Sequence, residues 1–209
     1  MTSLALAKND EGGDDPFHKI YGAIERFISN VPETDEGKSK KPKDRARLIV
    51  NTAAAKAALI SAGLALPPGP LGIVTIIPDL LAIWRLQAQM VADIAGTFGK
   101  EAFLTREQML YCLFRHAAAQ AVRDLVVRTG ERVLVQRVSL RAIQQVIKKI
   151  VPRITQRLIG RTISRWFPVI GSLGIGAYAF YDTAQVGETA IDLFKRKIVK
   201  KAKRVRKRR

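Results

Sequence analysis

Two aspartates, two histidines and one cysteine are the side chains of this chain whose type and placement could do chemistry. Asp79 and Asp182 each stand directly after a long run of uncharged residues, 57–78 and 166–181. An acid beside an apolar segment is a candidate for holding a proton or a cation when it is buried, and Arg85 is the nearest sequence partner of Asp79. If the two acids lie close together, a shared proton or a bound cation follows. The plainer reading is that Asp79, next to Pro78, sits where the positive end of a helix favours a carboxylate, with Asp182 doing likewise. Cys112 and His116 are four residues apart on one helix face, and with His18 they form the only conceivable metal or triad set. Two ligands are too few for structural zinc, so packing on that face is the expected role.

The glycines at 171, 174 and 176 imitate a phosphate-binding loop, but no strand precedes them and no Gly-Lys-Ser/Thr ending follows. Paired catalytic carboxylates, a nucleophile elbow and a metalloprotease motif are all missing from the sequence. The expectation is a non-enzymatic protein with no catalytic residue, no metal and no cofactor.

The elements that would position these residues are the uncharged runs themselves. The first carries Gly63, Pro67, Pro68, Gly69, Pro70 and Gly72; the second carries Pro168, Gly171, Gly174 and Gly176. Runs of this length must be buried in a protein core or in lipid, and their breakers predict bent or paired short helices. Residues 57–66 would make about 15 Å of helix, half the hydrocarbon thickness of a bilayer, and cannot span one. Glycines let backbones approach closely, which in lipid replaces the missing hydrophobic force between helices.

Around these runs the pattern is helical throughout. Residues 17–28 predict a short amphipathic helix, and 33–44 a lysine-rich linker. A helix begins near Arg45. Another begins at Pro78 and continues through Leu80, Ile83, Trp84, Gln87, Met90, Val91 and Ile94 to about Gly99. Thr105 and Gln108 resemble a capping box opening a helix over 105–128. A basic amphipathic stretch follows, with Ile143, Ile147, Ile150, Ile154 and Leu158 on one side, and Pro152 is expected to kink or divide it. A last helix is expected over 182–194. The predicted fold is all-α, a bundle of about six to eight helices built around two short Gly/Pro-rich apolar hairpins.

The formal charge of +18 is unevenly placed. Residues 1–50 balance to zero, 51–194 carry +7, and 195–209 hold eleven Lys or Arg and no acid. This divides the chain into a flexible acidic leader with its amphipathic helix and linker (1–44), a helical domain (45–194) and a basic tail (195–209). The tail, through Lys200, Lys201, Lys203, Arg204, Arg206, Lys207, Arg208 and Arg209, would attract any polyanion, whether anionic phospholipid or nucleic acid. Arg153, Arg157, Arg161 and Arg165 recur every four residues beside an apolar face and lead into Trp166 and Phe167, an arrangement suited to a headgroup interface.

Basic segments at 38–47 and 195–209 place both ends of the domain on the cytoplasmic face of a membrane, as a peripheral protein or one with re-entrant hairpins. A lone cysteine gives no disulfide framework, and the N-terminus lacks the pattern of a conventional secretion signal. The function expected is a membrane-associated accessory or scaffold protein holding anionic lipid, with a protein partner or a second copy as further company. The alternatives are a soluble nucleic-acid-binding helical protein and a transporter-associated or ion-handling membrane protein.

Leu71-Gly72-Ile73 before Asp79 and Leu173-Gly174-Ile175 before Asp182 suggest a weak internal duplication. The string from Pro68-Gly69-Pro70-Leu71-Gly72 through Ile76-Ile77-Pro78-Asp79-Leu80, continuing to Phe98-Gly99-Lys100, resembles the EcsC family of bacterial proteins. Phe167-Pro168-Val169-Ile170-Gly171 through Asp182-Thr183 resembles that family's second hallmark, with Asp182 and Thr183 standing where an Asn and a slightly later Thr are expected. The resemblance covers about residues 45–195 and implies a helical, membrane-associated protein. It carries no catalytic set.

Overall fold

The computed structural model describes residues 21–22, 24–25, 30–64, 72–122, 125–129, 132–135, 139–162 and 168–200; within these, the side chains at 63–64, 72–79, 117, 127–129, 132–134, 140, 153–162, 168–173 and 197–200 lie outside the description. Helices carry the fold, as the sequence predicts. Helix α1 is Pro42–Leu64, α2 is Gly72–Thr97, a 3-10 turn is Glu101–Phe103, α3 is Arg106–Val122, α4 is Leu140–Thr162 and α5 is Pro168–Phe194.

Their boundaries follow local chemistry. Pro42 and Pro168 each occupy a first helical position, where a missing N–H costs nothing. Asp44 lies in the first turn of α1, at its positive end. Beyond α2, Gly99 takes φ +64, Gly99 N donates to Gly96 O, and Lys100 N donates to Ala95 O at 2.8 Å. That pair of bonds is a Schellman ending, and its left-handed position needs a glycine. The capping box opening α3 is present: Thr105 N donates to Gln108 Oε1 at 2.8 Å and Gln108 N donates to Thr105 Oγ1 at 3.4 Å. Ser139 Oγ accepts from Ala142 N at the start of α4.

Helix α5 is the central element and packs against α1, α2 and α3, while α4 packs on α3. Gly176 faces Ala58 and Ala62, and eleven residues later Gly187 faces Val50. Rising numbers on one helix meet falling numbers on the other, so α1 and α5 are antiparallel. Ile83 clusters with Ala57 and Ala179, and Gln87 reaches Thr183, so α2 runs parallel to α5. The main core is formed by Val50, Trp84, Met90, Ile94, Met109, Leu110, Leu113, Phe114, Val186 and Phe194, with Trp84 and Phe114 meeting edge to face at 5.5 Å. Alanine and glycine dominate the α1–α5 contact, which lets those two helices approach closely.

At the opposite end from the uncharged runs, residues 30–41 lie across α2 rather than standing away from it. Thr34 Oγ1 donates to Asp93 Oδ1 at 2.7 Å, Gln89 Nε2 to the Glu33 carbonyl at 2.9 Å, and Ser39 N to the Thr97 carbonyl at 3.0 Å. Gly96 is required there, because a Cβ would overlap the Glu36 carbonyl. Lys100 Nζ donates to the carbonyls of Phe194 and Arg196, closing the negative end of α5; burial pushes this ammonium below the usual lysine range.

Four expectations need correction. The second uncharged run is not a hairpin: Gly171, Gly174 and Gly176 lie inside the continuous helix α5, since a glycine weakens a helix by about 1 kcal/mol without breaking it. Asp182 is therefore mid-helix. Helix α2 begins at Gly72, so Pro78 and Asp79 stand in its second turn rather than at its start. Helix α4 runs through Pro152 undivided, which excludes division, one of the two outcomes expected there. Helix α3 ends at Val122, after a kink at Ala118 (φ −144, ψ 47), and strands follow where helix was expected. β1 (Val126–Thr129) pairs antiparallel with β2 (Arg132–Val135), and β2 pairs in parallel with β3 (Lys197–Lys200). Val126, Val127, Val133 and Val135 are β-branched, and the stretch carries no glycine or proline inside either strand, which suits this small sheet. The described parts of the first uncharged run, 57–64 and 72–78, belong to α1 and α2, two helices that pack on each other.

Candidate functional site

The antiparallel and parallel pairings bring the described parts of the uncharged runs to one end of the bundle. The C-terminal end of α1 and the N-terminal ends of α2 and α5 lie together there, and α4 also ends close in sequence to the start of α5. The helical segments 57–64, 72–84 and 168–181 contain Asp79 as their single charged residue. Leu59 is 74% exposed and Tyr181 is 61% exposed, and Ile60, Tyr178 and Phe180 are also open to solvent. Leu59 is level with Ala177 and Tyr178 along the antiparallel pair, so these exposed apolar groups stand at about one height on α1 and α5. Beyond them toward the other end, Asn51, Thr52 and Glu188 are exposed polar residues, and Leu48 is an exposed apolar one.

Beside Tyr178 lies a polar node centred on Asp182. His116 Nε2 and Asp182 Oδ1 are 2.7 Å apart, Tyr178 Oη donates to the same oxygen at 3.2 Å, and Gln87 Nε2 donates to Oδ2 at 2.9 Å and to Thr183 Oγ1 at 3.2 Å. One carboxylate thus ties α2, α3 and α5 together. Burial pushes the Asp182 carboxyl up, but the hydrogen bond and charge of His116, with the bonds from Gln87 and Tyr178, outweigh it and hold the group below the usual aspartate range. A carboxylate only accepts, so His116 Nε2 carries the hydrogen. Its Nδ1 is buried and, among the described residues, has no hydrogen-bond partner.

Of the residues the sequence singled out, Asp182 and His116 are brought together across 66 positions. Cys112 is buried one turn away from His116. Asp79 is in α2, eight residues before Gln87, which puts its backbone about 12 Å along the helix from the Asp182 level; the structure does not pair the two acids through their backbones, and the Asp79 side chain lies outside the described residues. Gly63 and Gly72 border the helix ends of the first run, whereas Pro67, Pro68, Gly69 and Pro70 lie outside the described residues, as do Arg165, Lys201, Lys203, Arg204, Arg206, Lys207, Arg208 and Arg209. Arg153, Arg157 and Arg161 belong to α4 and Lys200 ends β3, with side chains outside the description. Among the described residues there is no group of three His, Cys, Asp or Glu that could hold a metal ion, and no helix is long and apolar enough to cross a membrane.

Gln87, Tyr178 and Thr183 were missed as site residues. Gln87 had a readable signal: it interrupts the apolar face made by Ile83, Trp84, Met90 and Val91, and a buried amide must find partners. Compared with protein-family models, curated proteins and solved structures, the chain gives no match.

Proposed function

We propose that this protein is a non-enzymatic, membrane-associated accessory or scaffold protein that seats its uncharged bundle end in a lipid surface and holds anionic lipid with its basic segments. The observation that carries the reading is the convergence of 57–64, 72–84 and 168–181 at one end, with Leu59, Ile60, Tyr178, Phe180 and Tyr181 left open there. Apolar groups of this size gathered at one end of the bundle mark an interaction site. Aromatic residues at its border suit a headgroup layer, and a tail with eleven basic residues in fifteen suits an anionic leaflet. The EcsC resemblance of residues 68–100 and 167–183 points the same way. The tie at Asp182 supports a structural rather than a catalytic use of the only histidine–carboxylate pair among the described residues.

Fractionating cells and washing the membranes in turn with high salt, alkaline carbonate and detergent tests this. The expected result is a membrane-bound protein that salt removes only partly and that carbonate or detergent releases. Recovery in the soluble fraction throughout, with salt-sensitive retention on nucleic acid, would replace it by the nucleic-acid-binding alternative.

A further inference from the structure

We infer that the uncharged end enters one leaflet of a phospholipid bilayer and stops there, with Lys56 and Arg85 at the phosphate layer and Tyr178 and Tyr181 at the ester level. This rests on the membrane reading above and adds depth, orientation and headgroup chemistry to it. The registers of the helices fix the boundary. Gly176 opposite Ala58 and Ala62, and Gly187 opposite Val50, set Lys56 level with Phe180 and Tyr181. Ile83 beside Ala179, and Gln87 beside Asp182 and Thr183, set Arg85 at the same level. Both cations are exposed. Two cations on α1 and α2 and two tyrosines on α5 therefore stand at one height, bordering the segments 57–64, 72–84 and 168–181, which hold a single charge, Asp79. Long cationic side chains and amphipathic rings gather in this way where hydrocarbon meets headgroup.

The lengths beyond that ring select one leaflet. From Tyr181 back to Pro168, and from Arg85 back to Gly72, there are thirteen residues of helix, about 20 Å. From Lys56 to Leu64 there are eight, about 12 Å. One leaflet's hydrocarbon is about 15 Å deep and the whole bilayer's about 30 Å. The α2 and α5 segments are longer than the first depth, the α1 segment is slightly shorter than it, and all three fall short of the second. Phosphate is the partner chemistry matched by two exposed cations, and a phospholipid leaflet supplies it beside an apolar layer.

The test uses the full-length chain with single cysteines introduced at Lys56→Cys, Leu59→Cys, Leu48→Cys and Glu188→Cys, each carrying a small fluorophore. Cys112 is buried, and the unsubstituted chain put through the same labelling gives the blank. Vesicles of phosphatidylcholine and phosphatidylglycerol carry a quencher in the headgroup, near the glycerol end of the acyl chain, or at the chain terminus. The expected result is loss of the Leu59 label's fluorescence to acyl-chain quenchers, loss of the Lys56 label's to the headgroup quencher alone, and no loss for Leu48 or Glu188. Acyl-chain quenching at Leu48 or Glu188 overturns the depth. Flotation with an unquenched Leu59 label also overturns it, and then binding comes through the tail or that face covers a second copy. If none of the chains floats with any vesicle, it is the membrane reading itself that fails.

Discussion

Asp182 is the residue on which three helices depend, and its chemistry has a measurable sign. Asp182→Asn replaces an acceptor-only carboxylate by an amide whose NH2 must face one of the donors His116, Tyr178 or Gln87. Hydrogen bonds to a charged group contribute about 1.5–3 kcal/mol, so a loss of about 2–3 kcal/mol is expected in urea unfolding near neutral pH. Tyr178→Phe removes one longer, more exposed bond and should cost about 1 kcal/mol or less. The pH dependence follows from the lowered Asp182 pKa. Its contribution is complete above the unfolded value of about 3.9 and is lost as pH falls through the lower folded value, so acid unfolding of the native chain should be steeper than that of Asp182→Asn.

Among elements, the α1–α5 contact decides how closely the bundle can pack, and two glycines separate its cause from helix propensity. A Cβ at Gly187 would overlap the Val50 side chain, whereas a Cβ at Gly174 meets nothing within 4 Å. Gly174→Ala is therefore expected to stabilise the protein by about 0.5–1 kcal/mol through propensity alone. Gly187→Ala should destabilise it by about 1–2 kcal/mol, overpacking outweighing the same gain, and Val50→Ala in that background should recover part of the loss. Thermal or urea unfolding of the four chains checks the ordering.

Much of this element-level architecture was legible. The Thr105 and Gln108 capping box, the end of α2 at Gly99 and the apolar face of α4 at Ile143, Ile147 and Ile150 are local signals, and each appears where the pattern puts it. What local pattern could not supply was partnership across the chain. The pairing of His116 with Asp182 depends on α3 docking against α5, and the sheet depends on residues after α5 returning to lie beside β2. Glycine and proline misled in the other direction. A run containing Gly171, Gly174 and Gly176 stays helical as part of the 27-residue α5, in which Gly176 and Ala179 pack on α1 and α2, and tertiary contacts along the helix outweigh a propensity deficit of about 1 kcal/mol per glycine.

For the molecule as a whole, the distribution of charge along the bundle axis is the property that the membrane account uses. Asp79 is the one charge in the segments 57–64, 72–84 and 168–181 and the one acid near that end, so Asp79→Asn is expected to strengthen vesicle binding, because a carboxylate is disfavoured in an apolar layer. The central claim is that the uncharged end itself contacts lipid, and flotation of the Leu59→Glu, Tyr181→Glu double variant beside the native chain tests it most directly. Both substituted positions are exposed, so circular dichroism should show an unchanged helical fold. With phosphatidylglycerol-containing vesicles at physiological salt, the account expects the native chain to float and the double variant to lose most of its binding. Equal flotation of the two folded chains would contradict it.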